Sequence, residues 1–313
     1  VTPITVRDLA AARDAILDEF AVVGVRGLLH AVDIDTGHEI GVNSDELVVT
    51  ASVFKLPILV ELCRQYTTGR RTPVERIRIA AGEYVVPGST GIAPMLDDVE
   101  LSLRDLAFLM MSVSDNRATD VIADLVGLDA VNATLRTFGL ERTTVEVDCR
   151  GIFRSIEEDL GMSLEQLDAA VRADEGGIAD RIRGLSCSDP AATDRTTPRE
   201  ITTLLAAVWR DEVIGADAAA EVRRILGQQA WPHRLMAGFP DSRIRVSGKT
   251  GTIFGVRNEA GVVEYPTGER FAIGVFLQEP WLEQRNPDAD RVIGTAARIA
   301  TDYLRESQTA YPA

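Results

Sequence analysis

The chain predicts an α/β (α+β) fold: an antiparallel sheet flanked by helices from the two chain ends, with an all-helical lobe inserted between its strands. Three observations carry this expectation. Helical periodicity opens and closes the sequence, strand-like segments follow the first helix and precede the last, and helical periods fill the long interval between. A doubly wound parallel sheet would alternate strand and helix throughout.

Taken in order, residues 5–20 (TVRDLAAARDAILDEF) place apolar side chains at helical spacing. GLLHAVDIDTGHEIGVNSDELVVTAS reads as two short strands around the turn Asp35-Thr36-Gly37. Residues 52–68 form the next helix. Between about 70 and 230, SLRDLAFLMMSVSD, RATDVIADLVG, LDAVNATLRTFG and TPREITTLLAAVWRDE are helical, several with N-cap residues or a stop at Gly127 or Gly139. SRIRVSGKTGT, GVRNEAGVVEY and RFAIGVFLQE supply further strands, with a turn at Pro266-Thr267-Gly268, and DADRVIGTAARIATDYLRES closes the chain as a helix. This organises 1–313 as a single unit, with a sheet lobe (1–68 and 228–313) and a helical lobe (69–227). Within the latter, 151–198 reads as an elaborated acidic loop with one or two helices of its own.

At 313 residues and 45% hydrophobic content the chain can build a sizeable core without disulfides or metal. A formal charge of −15 argues against nucleic acid or an anionic membrane surface as partner, since phosphates are repelled. No apolar run is long enough to span a bilayer. Cys63, Cys149 and Cys187 stand far apart, so at most one disulfide forms and none is required. His30, His38 and His233 fall in no metal-binding spacing, and no cofactor or metal is expected. The N-terminus reads as the start of an amphipathic helix, not a leader. The protein is then cytoplasmic, unless a leader was removed before this numbering begins.

Ser52 and Lys55 lie one helical turn apart at the start of an apolar helix. Serine needs a base to become nucleophilic, and a lysine desolvated by Phe54, Leu56 and Ile58 can serve. Two further motifs join this pair. Ser114-Asp115-Asn116 stands between two helices, where Ser and Asn can reach into a cleft. Lys249-Thr250-Gly251 lies in a strand, with a glycine that lets another backbone approach. Two ammonium groups and a hydroxyl suit an anionic acyl donor.

Ser-x-x-Lys, Ser-Asp-Asn and Lys-Thr-Gly, in this order, are the signature of class A β-lactamases and penicillin-binding proteins, and the chain resembles that superfamily. ASVFKLPILVEL is similar to its nucleophile helix, PGSTGIAPML and the following helices to its helical lobe, DRTTPREITTLL to the segment closing its omega loop, and VSGKTGTIFGVRNEAGVV to its active-site strand and neighbour. The resemblance implies an acyl-enzyme at Ser52, with Lys55 helping to take the serine proton and Ser114 relaying a proton to the leaving nitrogen. It implies that Asn116 binds a side-chain amide and that Lys249 keeps the site electropositive. Thr250 and Gly251 stand beside Lys249, and the backbone N–H groups of Ser52 and Thr252 form an oxyanion hole. Arg257 is expected either to bind a substrate carboxylate or to be an ordinary surface arginine. By resemblance the compartment is secreted or periplasmic if a leader was removed.

The sequence departs from the family pattern at the omega-loop glutamate that activates the deacylating water. At the expected spacing the chain reads VDCRGIFRS, without glutamate; Glu157, in Glu157-Glu158-Asp159-Leu160-Gly161, is the nearest match. The expected function is therefore β-lactam hydrolysis, slow or altered in range. The alternatives are an amide or ester hydrolase or acyltransferase of natural-product biosynthesis, and a D-Ala-D-Ala peptidase or non-turnover β-lactam-binding protein. The expected partner throughout is a small anionic acyl donor.

Overall fold

The structure, a computed structural model, describes residues 8–173, 176–280, 282 and 285–310. Helix α1 (Leu9–Val23) starts on the Asp8 side chain and stops at Gly24 in the left-handed conformation. The part of this helix expected before residue 8 lies outside the described residues. Strands β1 (Arg26–Asp33) and β2 (Glu39–Val42) follow as a hairpin, then the short β3 (Val48–Val49). A 3₁₀ turn over Ala51–Phe54 leads into α2 (Lys55–Thr67). The helical lobe continues through β4 (Arg76–Ile79), β5 (Val99–Ser102), α3 (Leu103–Ser112), α4 (Asn116–Val126), α5 (Leu128–Thr137), α6 (Cys149–Leu160), α7 (Leu164–Arg172), α8 (Ile178–Arg183), β6 (Arg195–Thr196), α9 (Pro198–Trp209) and α10 (Ala216–Leu226). Strands β7 (Arg245–Ile253), β8 (Val256–Glu264) and β9 (Arg270–Gln278) return to the sheet, and α11 (Pro287–Ala310) ends the fold.

The main sheet is antiparallel throughout, in the order β2-β1-β9-β8-β7. Its centre is a continuous apolar run, as a strand covered on both faces requires. On β9, Phe271, Ile273, Val275 and Leu277 point to the layer formed with α1 and α11, while Ala272 and Phe276 point to the helical lobe. Burying side chains of this size contributes roughly 1.5–3 kcal/mol each.

Three expectations need correction. The inserted lobe is not all-helical, because β4 pairs with β5 within it and β6 pairs with β3. Helix α2, assigned to the sheet lobe by its position before residue 68, packs on α3, α4, α5 and α10 at the centre of the helical lobe. Its all-round apolar surface (Leu56, Ile58, Leu59, Val60 and Leu62, all buried) explains why. The segment 151–198 carries α7, α8 and nearly all of α6, more structure than the one or two helices expected.

Candidate active site

The nucleophile turn is held under strain. Ala51, immediately before Ser52, has φ +43°, in the left-handed region that a residue with a Cβ adopts only when its surroundings impose it. Asn258 on β8 imposes it from one side, donating from Nδ2 to the carbonyls of Val49 (2.9 Å) and Thr50 (3.1 Å). From the other side, the backbone N–H and the hydroxyl of Thr50 both donate to the Asp194 carbonyl, each at 3.1 Å. Ser52 therefore sits in a 3₁₀ turn and not in the α-helix itself, with Lys55 as the first α-helical residue. At i and i+3 of such a turn the two side chains eclipse.

Strand β7 lies directly against this turn. A Cβ placed on Gly251 would stand 2.6 Å from the Thr50 carbonyl and 3.1 Å from the Ser52 nitrogen, so only glycine allows the approach. The third motif enters between α3 and α4, where Ser114 has φ +61° and Asp115 caps α4 through the Ala118 N–H. The other Asp115 oxygen accepts the Ile92 N–H at 2.6 Å.

Lys55 is fully buried, and its ammonium crosses to this turn. Nζ donates to the Ser114 carbonyl (2.8 Å), to Ser114 Oγ (3.2 Å) and to Asn116 Oδ1 (2.8 Å). Burial lowers its pKa, while the nearby Cys149, Asp115 and Asp120 pull it back up. Among the described residues, no hydrogen bond joins the Ser52 hydroxyl to Lys55 or Lys249; the three donors of Lys55 are taken by the Ser-Asp-Asn turn. Catalytic hydrogen bonds are often long before substrate binds and tighten in the complex. Lys249 is also fully buried, donates to the Thr250 carbonyl at 2.7 Å, and has a pKa well below the ordinary range. Desolvation is the main cause, with the positive charges of Lys55 and Arg234 adding to it. Of the 33 lysines and arginines in the chain, only these two are lysines. Lysine can release its proton in such surroundings and arginine cannot.

A cleft of about 620 Å³ opens above these groups, within the range of small-molecule sites. Ser52, Ser114, Asn116, Thr250, Thr252 and Arg257 line it, with Lys55 and Lys249 beneath its floor and Gly251 behind Ser52. Glu157 does not line it. It sits in the last turn of α6, where Oε1 accepts the Leu164 N–H at 3.1 Å and joins α6 to α7. The expectation of a water-activating role for Glu157 fails on this placement: the α6 face that meets the cleft carries Cys149, Ile152, Phe153 and Ile156. Cys149 stands nearest the chemistry, its Sγ 3.5 Å from Asn116 Oδ1. The first turn of α6 is tied down by Asp120, which accepts the N–H groups of Cys149 and Arg150.

Arg257 is not a surface residue. It is 2% exposed, and its guanidinium donates to Glu279 (2.5 Å) and Asp290 (2.9 Å). Three further residues support the site without a motif to mark them. Arg234, also buried, donates to Thr252 Oγ1 (2.6 Å) and to the Gly251 and Asn258 carbonyls, with Asp290 as counter-ion. Asn258 clamps the nucleophile turn, as described. Arg117, next to Asn116, donates to the carbonyls of Ala80, Glu83, Ile92 and Met95 and so fastens the cleft rim that contains Pro87–Thr90. One sequence signal was available for Asn258: Arg257-Asn258-Glu259 interrupts an otherwise apolar strand, and buried polar groups in a central strand need partners. For Arg234 and Arg117 there was none.

Comparison with known proteins agrees with this fold. Residues 8–304 match the sequence model of the Beta-lactamase enzyme family. The β-lactamase regulatory protein BlaB of Streptomyces cacaoi is 29% identical over 300 residues, covering 90% of this chain and 94% of that protein. A β-lactamase structure from Sphaerobacter thermophilus has a TM-score of 0.75 at 23% identity, covering 97% of this chain and 99% of its own. A mutant of PBP-A, in an acyl-enzyme complex with penicillin G, has a TM-score of 0.73 at 21% identity, covering 96% and 97%. At these identities the two structures speak for the fold, while the sequence match covers nearly the whole length: the chain belongs to the β-lactamase enzyme family.

Proposed function

We propose that the protein forms an acyl-enzyme at Ser52 with a β-lactam-type cyclic amide bearing a carboxylate, and releases the acyl group slowly. The Ser52 hydroxyl attacks the carbonyl carbon, the carbon–nitrogen bond breaks, and an ester forms at Ser52. The serine proton passes to Lys55 in its neutral form and reaches the departing nitrogen through the Ser114 hydroxyl. The oxyanion is met by the N–H groups of Ser52 and Thr252. Asn116 holds the donor's side-chain amide. Lys249 and Arg234 supply the positive field for the carboxylate, with the Thr250 and Thr252 hydroxyls as its direct contacts. Arg257, already paired with two carboxylates, shapes that end of the cleft.

The observation that carries this reading is the buried Lys55 ammonium, bonded to Ser114 and Asn116 beneath the cleft that Ser52 lines. Slow release is supported by the opposite wall. Among the described residues the lining holds one carboxylate, Glu279, which accepts from Arg257 at 2.5 Å and Asn286 at 3.3 Å. A general base is worth roughly 10²–10⁴-fold, or about 3–5 kcal/mol on the step it serves. The same wall favours a second reading, supported by the relative named as a regulatory protein, in which the lasting adduct is itself the functional state. A chromogenic cephalosporin separates the two: slow steady colour after an initial burst marks a hydrolase, and a single stoichiometric burst marks a binding protein. Absence of both burst and covalent mass gain would refute acylation altogether.

A further inference from the structure

A second cavity, of about 180 Å³, adjoins the turn that joins β7 to β8. Phe254, Gly255 and Val256 of that turn line both it and the cleft, whereas Ser52 and the motif residues line the cleft alone. Val48, Val256 and Phe276 make its wall largely apolar, and two buried polar atoms interrupt that wall. Asn258 commits Nδ2 to the Val49 and Thr50 carbonyls, which fixes the orientation of its amide. Among the described residues, its Oδ1 accepts no hydrogen bond. Ser188 Oγ likewise makes none to oxygen or nitrogen, and the Cys187 thiol beside it is a weak partner. Buried acceptors are ordinarily met, so an open one beside a space of this size marks a place for a guest. The charges at its edge are already paired. Arg183 donates to Asp180 (2.7 Å) and to the Pro280 carbonyl (3.2 Å), while Glu279 accepts from Arg257 and Asn286. Neither an anion nor a cation would find a counter-ion to spare there.

We propose that this cavity is a second ligand site, for a small neutral molecule with one O–H or N–H donor on a compact apolar body. The donor meets Asn258 Oδ1, and the Ser188 hydroxyl rotates to suit the guest's own oxygen or nitrogen. An apolar cavity of roughly 150 Å³ takes up benzene, so this space fits one six-membered ring with a polar substituent. Such a guest is unlike the anionic acyl donor of the cleft, and its binding does not rest on the acyl-enzyme reading. It bonds the same amide that clamps the nucleophile turn, so the site reaches that turn without using the cleft.

The test titrates the full chain with 4-fluorophenol and with 4-fluorotoluene, followed by fluorine NMR. The two probes have nearly the same shape, and only the phenol carries a donor. The phenol is expected to bind with a dissociation constant of about 1 mM or below. The toluene is expected to bind roughly fivefold more weakly or worse. Ser188→Leu removes the hydroxyl and fills the cavity from a residue that does not line the cleft, and phenol binding is expected to weaken at least about tenfold with the circular dichroism unchanged. If that variant does not fold, Ser188→Ala serves, and the contrast between the two probes on the unmodified protein decides without either. No binding of the phenol would mean that the cavity holds water only and would overturn the site. Equal binding of both probes would overturn the ligand class, and undiminished binding to Ser188→Leu would place the probe elsewhere and overturn the location. Each of these results leaves Ser52 acylation untouched, since no acyl donor is present.

Discussion

On one wall of the cleft, the nucleophile turn, the Ser-Asp-Asn turn and β7 bring two buried lysines, two strained backbone positions and a set of hydroxyls around Ser52. On the facing wall, α6 offers a thiol and three apolar side chains. The first wall holds charge at considerable cost, since burying an ammonium is unfavourable unless its donors are met. Among the described residues, α6 contributes no carboxylate to the lining, where Glu279 and His233 stand on other segments. If the proposed acyl-enzyme forms, the contrast teaches that the two half-reactions can be built separately. On the proposed reading, this chain makes the ester faster than it breaks it.

The comparison can be broken or sharpened one residue at a time. Ser52→Ala removes the adduct entirely, and Lys55→Ala slows acylation roughly 10²–10⁴-fold, both read by intact mass. Acylation of Lys55→Ala at the unmodified rate would end its assignment as base. Gly251→Ala comes next: the new Cβ drives β7 away from the nucleophile turn, and acylation falls about 10²-fold while circular dichroism shows the fold retained. Cys149→Glu tests the other wall by placing a carboxylate beside Asn116. Adduct decay is expected to quicken about tenfold or more while acylation changes less. Unchanged decay would mean that the wall is not what limits release.

Two pH effects follow, smaller in size. The neutral form of Lys55 increases as pH rises through its lowered pKa, so acylation rises with pH and levels off below the range of an ordinary lysine. Because the chain has only two lysines, lysine labelled at the ε-carbon gives two signals by NMR, and both are expected to titrate below that range. Asp194 behaves in the opposite sense. Complete burial pushes its carboxyl up to about 7, against the bonds it accepts from the Val147 and Glu146 N–H groups. Its contribution to stability is present below the unfolded value near 4 and is lost as pH rises through about 7. Melting temperatures from pH 4 to 8 should fall less steeply in Asp194→Asn. Part of the slope remains, because Asp120 and Glu259 are raised to about 7 by the same desolvation.

What could be read from sequence was whatever is written locally. The three motifs name Ser52, Lys55, Ser114, Asn116 and Lys249 because each occupies a short, fixed spacing, and β7–β9 declare themselves as apolar runs between turns. What escaped depends on contacts distant in sequence. The strain at Ala51 arises from Asn258, about 200 residues later. The location of α2 within the helical lobe follows from neighbours on four other helices. Glu157 illustrates the limit: its Glu and Leu spacing resembles a family motif, yet α6 begins at Cys149 and runs for three turns, carrying Glu157 to the far end and aiming other side chains at the cleft. Arg257 was legible as a charged residue after the motif strand, but not its pairing with Glu279 and Asp290, which lie beyond β9.

The central claim is a separation of rates, and adduct lifetime measures it directly. The protein is acylated with one equivalent of a penicillin, excess donor is removed by rapid desalting, and intact mass is followed over hours, with Ser52→Ala as control. Persistence of the added mass through many acylation half-times is the predicted result. Loss of that mass as quickly as it is gained, with unmodified protein recovered, would contradict the account.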